Sequence, residues 1–160
     1  SQSFIEQRNA WIAEASTIAK TMATGRPAIW FFAYAHAAYD VIAAREALER
    51  LPQFQPISSP AVWPSDLAAT GRVYLLAGNV DEAIVWLEKA SRHCRGLSDA
   101  IAHVQAHSWL GQAREKKGDK AGACGAYSVV IDHWGDAKPK SVTAEDTRLR
   151  MKALDCTPPK

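Results

Sequence analysis

The sequence predicts an all-α protein, a solenoid of helical hairpins closed by a C-terminal capping helix. Three observations predict it. No segment of useful length alternates apolar and polar residues with the period of two that marks a strand. Apolar residues instead recur at three-to-four spacing over most of the 160 residues. The stretch GRVYLLAGNVDEAIVWLEKA, which begins at Gly71, is echoed by GQAREKKGDKAGACGAYSVV, which begins at Gly111, an offset of 40 residues. A fixed period of this length is the mark of stacked repeats.

Seven helices are expected, over about 3–23, 28–51, 65–77, 80–95, 99–117, 120–134 and 143–155. In the first, Phe4, Trp11, Ala15, Ile18 and Met22 make one apolar face. Gly25 and Pro27 supply a stop and a start, since glycine tolerates a left-handed cap and proline suits a first helical turn. The second helix opens with AIWFFAYAHAAYDVIAA, apolar on nearly every side and so covered by neighbours. These two form an N-terminal hairpin over 1–51. Pro52, Pro56, Pro60 and Pro64 then exclude a helix from the connection 52–64, and Phe54 and Trp63 are expected to pack it against the domain.

The first repeat covers 65–97 and the second 98–135. Asn79 and Glu82 are spaced as a capping box, and Ser98, Asp119 and Thr143 are the other expected N-caps. Gly71 and Gly111 leave room for a neighbouring helix, while Gly78 and Gly118 end the first helix of each pair. Ala83 and Ala123 mark the helix crossings, with Leu87 and Tyr127 filling the gaps between pairs.

On these residues the chain resembles the tetratricopeptide repeat family. The places of that pattern hold Leu67, Thr70, Gly71, Tyr74, Ala83 and Leu87 in one repeat. In the other they hold His107, Leu110, Gly111, Arg114, Ala123 and Tyr127. The period exceeds the family's usual ~34 residues, and the closing proline is absent from both repeats. More loosely, the segment from Gly118 to Leu154 is similar to the end of C-terminal repeat regions attached to bacterial serine/threonine protein kinases. That likeness implies a regulatory or sensor module, covalently attached to a kinase domain in a full-length signalling protein; no HRD, DFG or glycine-rich phosphate loop is present. The opening SQSF, without an initiator Met, is read as part of something larger.

A net charge of +2, with basic residues scattered among acids, argues against nucleic acid as partner. No apolar run reaches the roughly 20 residues of a membrane span, so no membrane insertion is expected. Three cysteines, Cys94, Cys124 and Cys156, do not look like a disulfide framework, which favours a reducing, cytoplasmic setting.

Candidate chemistry is sparse. His103 and His107 share a helix face at metal-ligand spacing, but Val104 stands where the zincin pattern needs Glu. Cys124 in GACGAY lies inside a helix, not at a strand-to-helix elbow, and is read as a small buried apolar group between glycines that permit close helix contact. No catalytic residue, metal or cofactor is expected. Trp109 differs from the packing tryptophans because it points away from the stripe of Leu110, Arg114 and Lys117. With Arg72, Leu76, Gln105, Gln112 and Lys116 it would line the inner groove that the resemblance implies, a surface for a protein or peptide partner. The second helix or the proline connection could equally cover it. The function expected is a non-catalytic interaction or scaffolding module, with a small-ligand or metal protein as the remote alternative.

Overall fold

The computed structural model describes residues 2–19, 25–57, 63–93 and 99–156, all helices and turns with no strand among them. Eight α-helices follow in order: α1 (Gln2–Ala19), α2 (Gly25–Trp30), α3 (Val41–Arg50), α4 (Pro64–Ala77), α5 (Val80–Ser91), α6 (Ala100–Lys117), α7 (Lys120–Trp134) and α8 (Val142–Ala153). Helix α4 packs against α5 and α6, α6 against α7, and α7 against α8.

The expected helix 28–51 is two helices. Helix α2 runs into a π-turn at Phe31–Ala35, and the chain turns before α3. Asp40 makes the break: its extended backbone (φ −138°, ψ 175°) stops one helix, and its carboxylate accepts the Ala43 N–H at 2.8 Å to start the next. The apolar run before it is covered as expected at Trp30, Phe31, Tyr34 and Ala38, but Phe32 stays exposed. The Trp30 indole donates to the Ala47 carbonyl at 2.8 Å, which locks α2 onto α3. Gly25 opens α2 instead of lying between helices, and on α1 Phe4 and Trp11 face solvent while Ile12 and Ala15 pack inward. Arg8 ties α1 to α3 through Glu46 and lies over the Tyr34 ring at 4.9 Å. Met22 falls outside the described residues. In the connection, Phe54 is buried, whereas Trp63 is about half exposed; 58–62 are outside the described residues.

From α4 onward the small residues sit at close helix contacts and helix ends. A Cβ on Gly71 would lie 2.5 Å from Leu87 Cγ, and one on Gly111 would overlap the Tyr127 ring. Gly78 and Gly118 hold left-handed caps at φ 90° and 80°. Ala83, Leu87, Ala123 and Tyr127 are fully buried. The Asn79 and Glu82 capping box does not form, because the Asn79 N–H already donates to the Tyr74 carbonyl at 2.9 Å. Asp99 caps α6, while Ser98 lies outside the described residues; Asp119 caps α7. Ser141 caps α8 in place of Thr143, its hydroxyl accepting the Ala144 N–H at 3.3 Å.

Cys124 is not an isolated apolar group. It is disulfide-bonded to Cys156, with the Cα atoms 5.6 Å apart, inside the usual span for such a bridge. Asp155, in the left-handed region at φ 51°, turns the chain back after α8 so that Cys156 N–H reaches the Met151 carbonyl and its sulfur reaches α7. The pairing removes the ground on which a reducing compartment was expected. Gly125 makes no close contact, since a Cβ there meets nothing within 4 Å. Gly122 is the tight one: a Cβ would collide with the Asp119 carboxylate that caps α7. Helix α8 covers Ala123, Tyr127 and Ile131 through Met151 and Leu154.

Candidate functional site

Helix α6 alternates two faces. Leu110, Ala113 and Gly111 pack towards α5 and α7, while Gln105, Ser108, Trp109 and Gln112 form a strip on another side. That strip recurs at three, four and seven residues, the spacing that keeps side chains on one helix face. It runs about 10 Å along the helix, seven residues at 1.5 Å each. Opposite stands the first turn of α8, which contributes Val142, Thr143 and Asp146. Between them lies an open cleft of about 280 Å³.

The cleft has an unusual polar inventory. Gln105, Ser108, Gln112 and Thr143 have no side-chain hydrogen-bond partner among the described residues. Ser108 is buried as a residue, but its hydroxyl oxygen still reaches solvent. The one ionised group in the lining, Asp146, already accepts from the Arg150 guanidinium at 2.8 Å.

Arg72 joins this surface from α4. Its guanidinium lies 5.0 Å from the Trp109 ring centroid and 4.6 Å from that of Tyr39, which is exposed. It donates to the carbonyls of Ala35 and His36 at 3.0 and 3.1 Å, at the end of the π-turn that follows α2. Burial pulls its pKa below the ordinary arginine value, with Tyr39 opposing. Arg72 is therefore a tie between the N-terminal helices and α4 as well as one wall beside Trp109. Trp109 is itself half buried and packs on Ala68, Ala90 and Ala106 while lining the cleft. Arg72 lies over its ring.

Of the six residues expected in the groove, Gln105, Trp109 and Gln112 share the cleft and Arg72 touches Trp109. Leu76 does not join them; it packs against the apolar cluster of the N-terminal helices. Lys116 is exposed one turn past Gln112 and outside the cleft lining. The residues that sequence reasoning did not reach are Tyr39 and the α8 set. Thr143 and Asp146 lie three apart on one helix, a signal that was present, but nothing in the sequence aims that face at α6.

A second cluster lies at the other side of α6. His103 and His107 meet edge to face at 4.8 Å, and His133 of α7 lies 6.1 Å from His103. His107 also lines a hollow of about 180 Å³ beside the Arg114–Glu88 ion pair, whose N···O distance is 2.7 Å. Among the described residues no three His, Cys, Asp or Glu side chains are placed to hold a metal ion. Burial, then His103, His133 and Arg114, lower the His107 pKa to about 4. The unfolded chain binds that proton near 6.5, so His107 favours the fold above 6.5 and loses this contribution as pH falls towards 4. The urea midpoint is therefore expected to drop between pH 7 and pH 4.5 by more in the wild type than in His107→Gln. Equal drops in the two proteins would show that the cluster does not couple to folding.

No helix among the described residues is long and apolar enough to cross a membrane. No family model, curated protein or solved structure matches the chain.

Proposed function

We propose that the chain is a non-catalytic helical-repeat module, tetratricopeptide-like, whose α6–α8 cleft and the adjoining Arg72 and Tyr39 receive a segment of a partner protein. The observation that carries the reading is Trp109 in an open cleft whose hydrogen-bonding side chains are left unused. An aromatic anchor among adaptable polar groups is the composition of a protein-recognition surface. The nearest-neighbour packing of α4 to α8 supports the repeat reading, because repeat arrays make contacts chiefly between adjacent units.

The test separates binding from folding. Trp109→Ala is expected to weaken a bound peptide by about 2 kcal/mol, roughly thirtyfold. It should cost the fold less than the ~3–5 kcal/mol of a fully buried tryptophan, since the ring is half buried. Peptides for the measurement come from selection of a phage-displayed random library on the immobilised protein. A stability loss in the full core range with unchanged peptide affinity would make Trp109 a packing residue and end the proposal.

A further inference from the structure

Resting on the protein-binding reading, we infer that Arg72, held between the rings of Tyr39 and Trp109, receives a carboxylate side chain from an acidic segment of the partner protein. A guanidinium carries five N–H donors in a fixed fork. The carbonyls of Ala35 and His36 both bond Nη2, which leaves Nε and Nη1. Nε is enclosed and has no partner, whereas Nη1, also unbonded among the described residues, is not enclosed. No carboxylate pairs with Arg72 among the described residues. A cation taken out of water without a counter-charge is costly, and the two carbonyls and two rings offset only part of that cost. A carboxylate at Nη1 would supply the missing charge through a charge-assisted hydrogen bond.

The acids around this face are already engaged. Asp66 meets the His36 imidazole at 2.9 Å, Asp40 caps α3, and Asp146 accepts from Arg150. Lys116, exposed on the same side of α6 as Trp109, has no ion-pair partner among the described residues. The charge left over on this surface is therefore positive at two points, and its complement is acidic. A nucleic acid fits less well, since the net charge is only +2 and the neighbouring Lys117 is paired with Asp81.

Spacing distinguishes acidic side chains from a lone terminal carboxylate or a small anion. Trp109, under the Arg72 guanidinium, and Lys116 stand about 10 Å apart along α6. One carboxylate cannot span that distance. Two acidic side chains can, when about three residues of extended chain at ~3.3 Å each separate them. The Trp109 ring beside Arg72 gives an apolar side chain of the same segment a place to pack.

The test is selection of a phage-displayed random dodecapeptide library on the full chain. Enriched peptides, synthesised with amidated C-termini, are then measured on the wild type, Arg72→Gln, Lys116→Gln and Trp109→Ala, at low and high salt. The expected result is enrichment of sequences that carry a pair of Asp or Glu residues about three positions apart. Their affinity should fall about tenfold on Arg72→Gln, about threefold on Lys116→Gln, and about tenfold between roughly 0.05 and 0.5 M salt. Should Arg72→Gln not fold, Lys116→Gln decides, and unchanged affinity there would overturn the inference. Enriched peptides that are neutral or basic, and that Trp109→Ala weakens, would overturn the acidic partner and leave the protein-binding reading standing. Acidic peptides that Trp109→Ala weakens but Arg72→Gln does not would overturn the assignment to Arg72 alone. No enrichment, peptides indifferent to all three variants, or tighter binding of a single-stranded DNA dodecamer would overturn the inference and the protein-binding reading together.

Discussion

Removing the chain from Val142 onward is expected to lower the melting temperature by roughly 10–20 °C or to abolish cooperative unfolding. Met151, Leu154 and Cys156 of this segment cover Ala123 and Tyr127, which are fully buried. The loss would expose Tyr127 and remove Arg150 from Glu115, the acceptor of the Tyr127 hydroxyl at 2.7 Å. It would also delete one half of the disulfide. Burial of one large apolar side chain contributes ~1.5–3 kcal/mol and a disulfide of this kind ~3–4 kcal/mol. The total, about 5 kcal/mol or more, approaches the whole stability of an ordinary domain and converts at roughly 2–4 °C per kcal/mol. Thermal unfolding followed by circular dichroism checks it. A truncated chain with unchanged melting temperature and solubility would show that α8 does not close the helical array.

Reduction of the Cys124–Cys156 bridge is expected to destabilise the intact chain by about 3–4 kcal/mol, near 10 °C in melting temperature, through the entropy returned to the unfolded state. The bridge spans a sequence separation of 32 residues, long enough for this effect to be large. Cys156→Ala should melt at the temperature of the reduced wild type and respond to reductant no further. Identical melts with and without reductant, on material whose thiol titration shows the bridge opened, would contradict this.

The packing of α4 on α5 and of α6 on α7 was legible because close packing writes small residues at fixed places. Gly71 against Leu87 and Gly111 against Tyr127 are the same contact made twice, and it appears as a 40-residue offset before any fold is known. The span of α7, 120–134, follows from Gly118 and Asp119, whose geometric demands are local. The break before α3 was hidden because Asp40 interrupts an apolar run that reads equally well as one covered helix. Only the backbone at Asp40 separates a capping carboxylate from a mid-helix one. Likewise, the Asn79 capping box failed because the Asn79 N–H donates to the Tyr74 carbonyl at the end of α4.

The site was half legible for a similar reason. Gln105, Trp109 and Gln112 lie on one helix, where spacing alone decides which side chains share a face. The α8 wall depends on how the chain returns after α7, and Leu76 was diverted by the N-terminal helices that pack over it. The disulfide belongs to the same class. Cys124 and Cys156 meet only because Asp155 turns the chain at the end of α8, and no local pattern states that.

Peptide binding at the α6–α8 cleft is tested most directly by nuclear magnetic resonance on 15N-labelled protein titrated with a library-selected peptide. The predicted result is that the side-chain amide signals of Gln105 and Gln112 and the indole N–H of Trp109 shift together and saturate at one peptide per chain. The backbone amides of the exposed first turn of α7, Lys120 and Ala121, should not move. Saturable shifts confined to other helices, with the Gln105, Trp109 and Gln112 signals unchanged, would contradict the site.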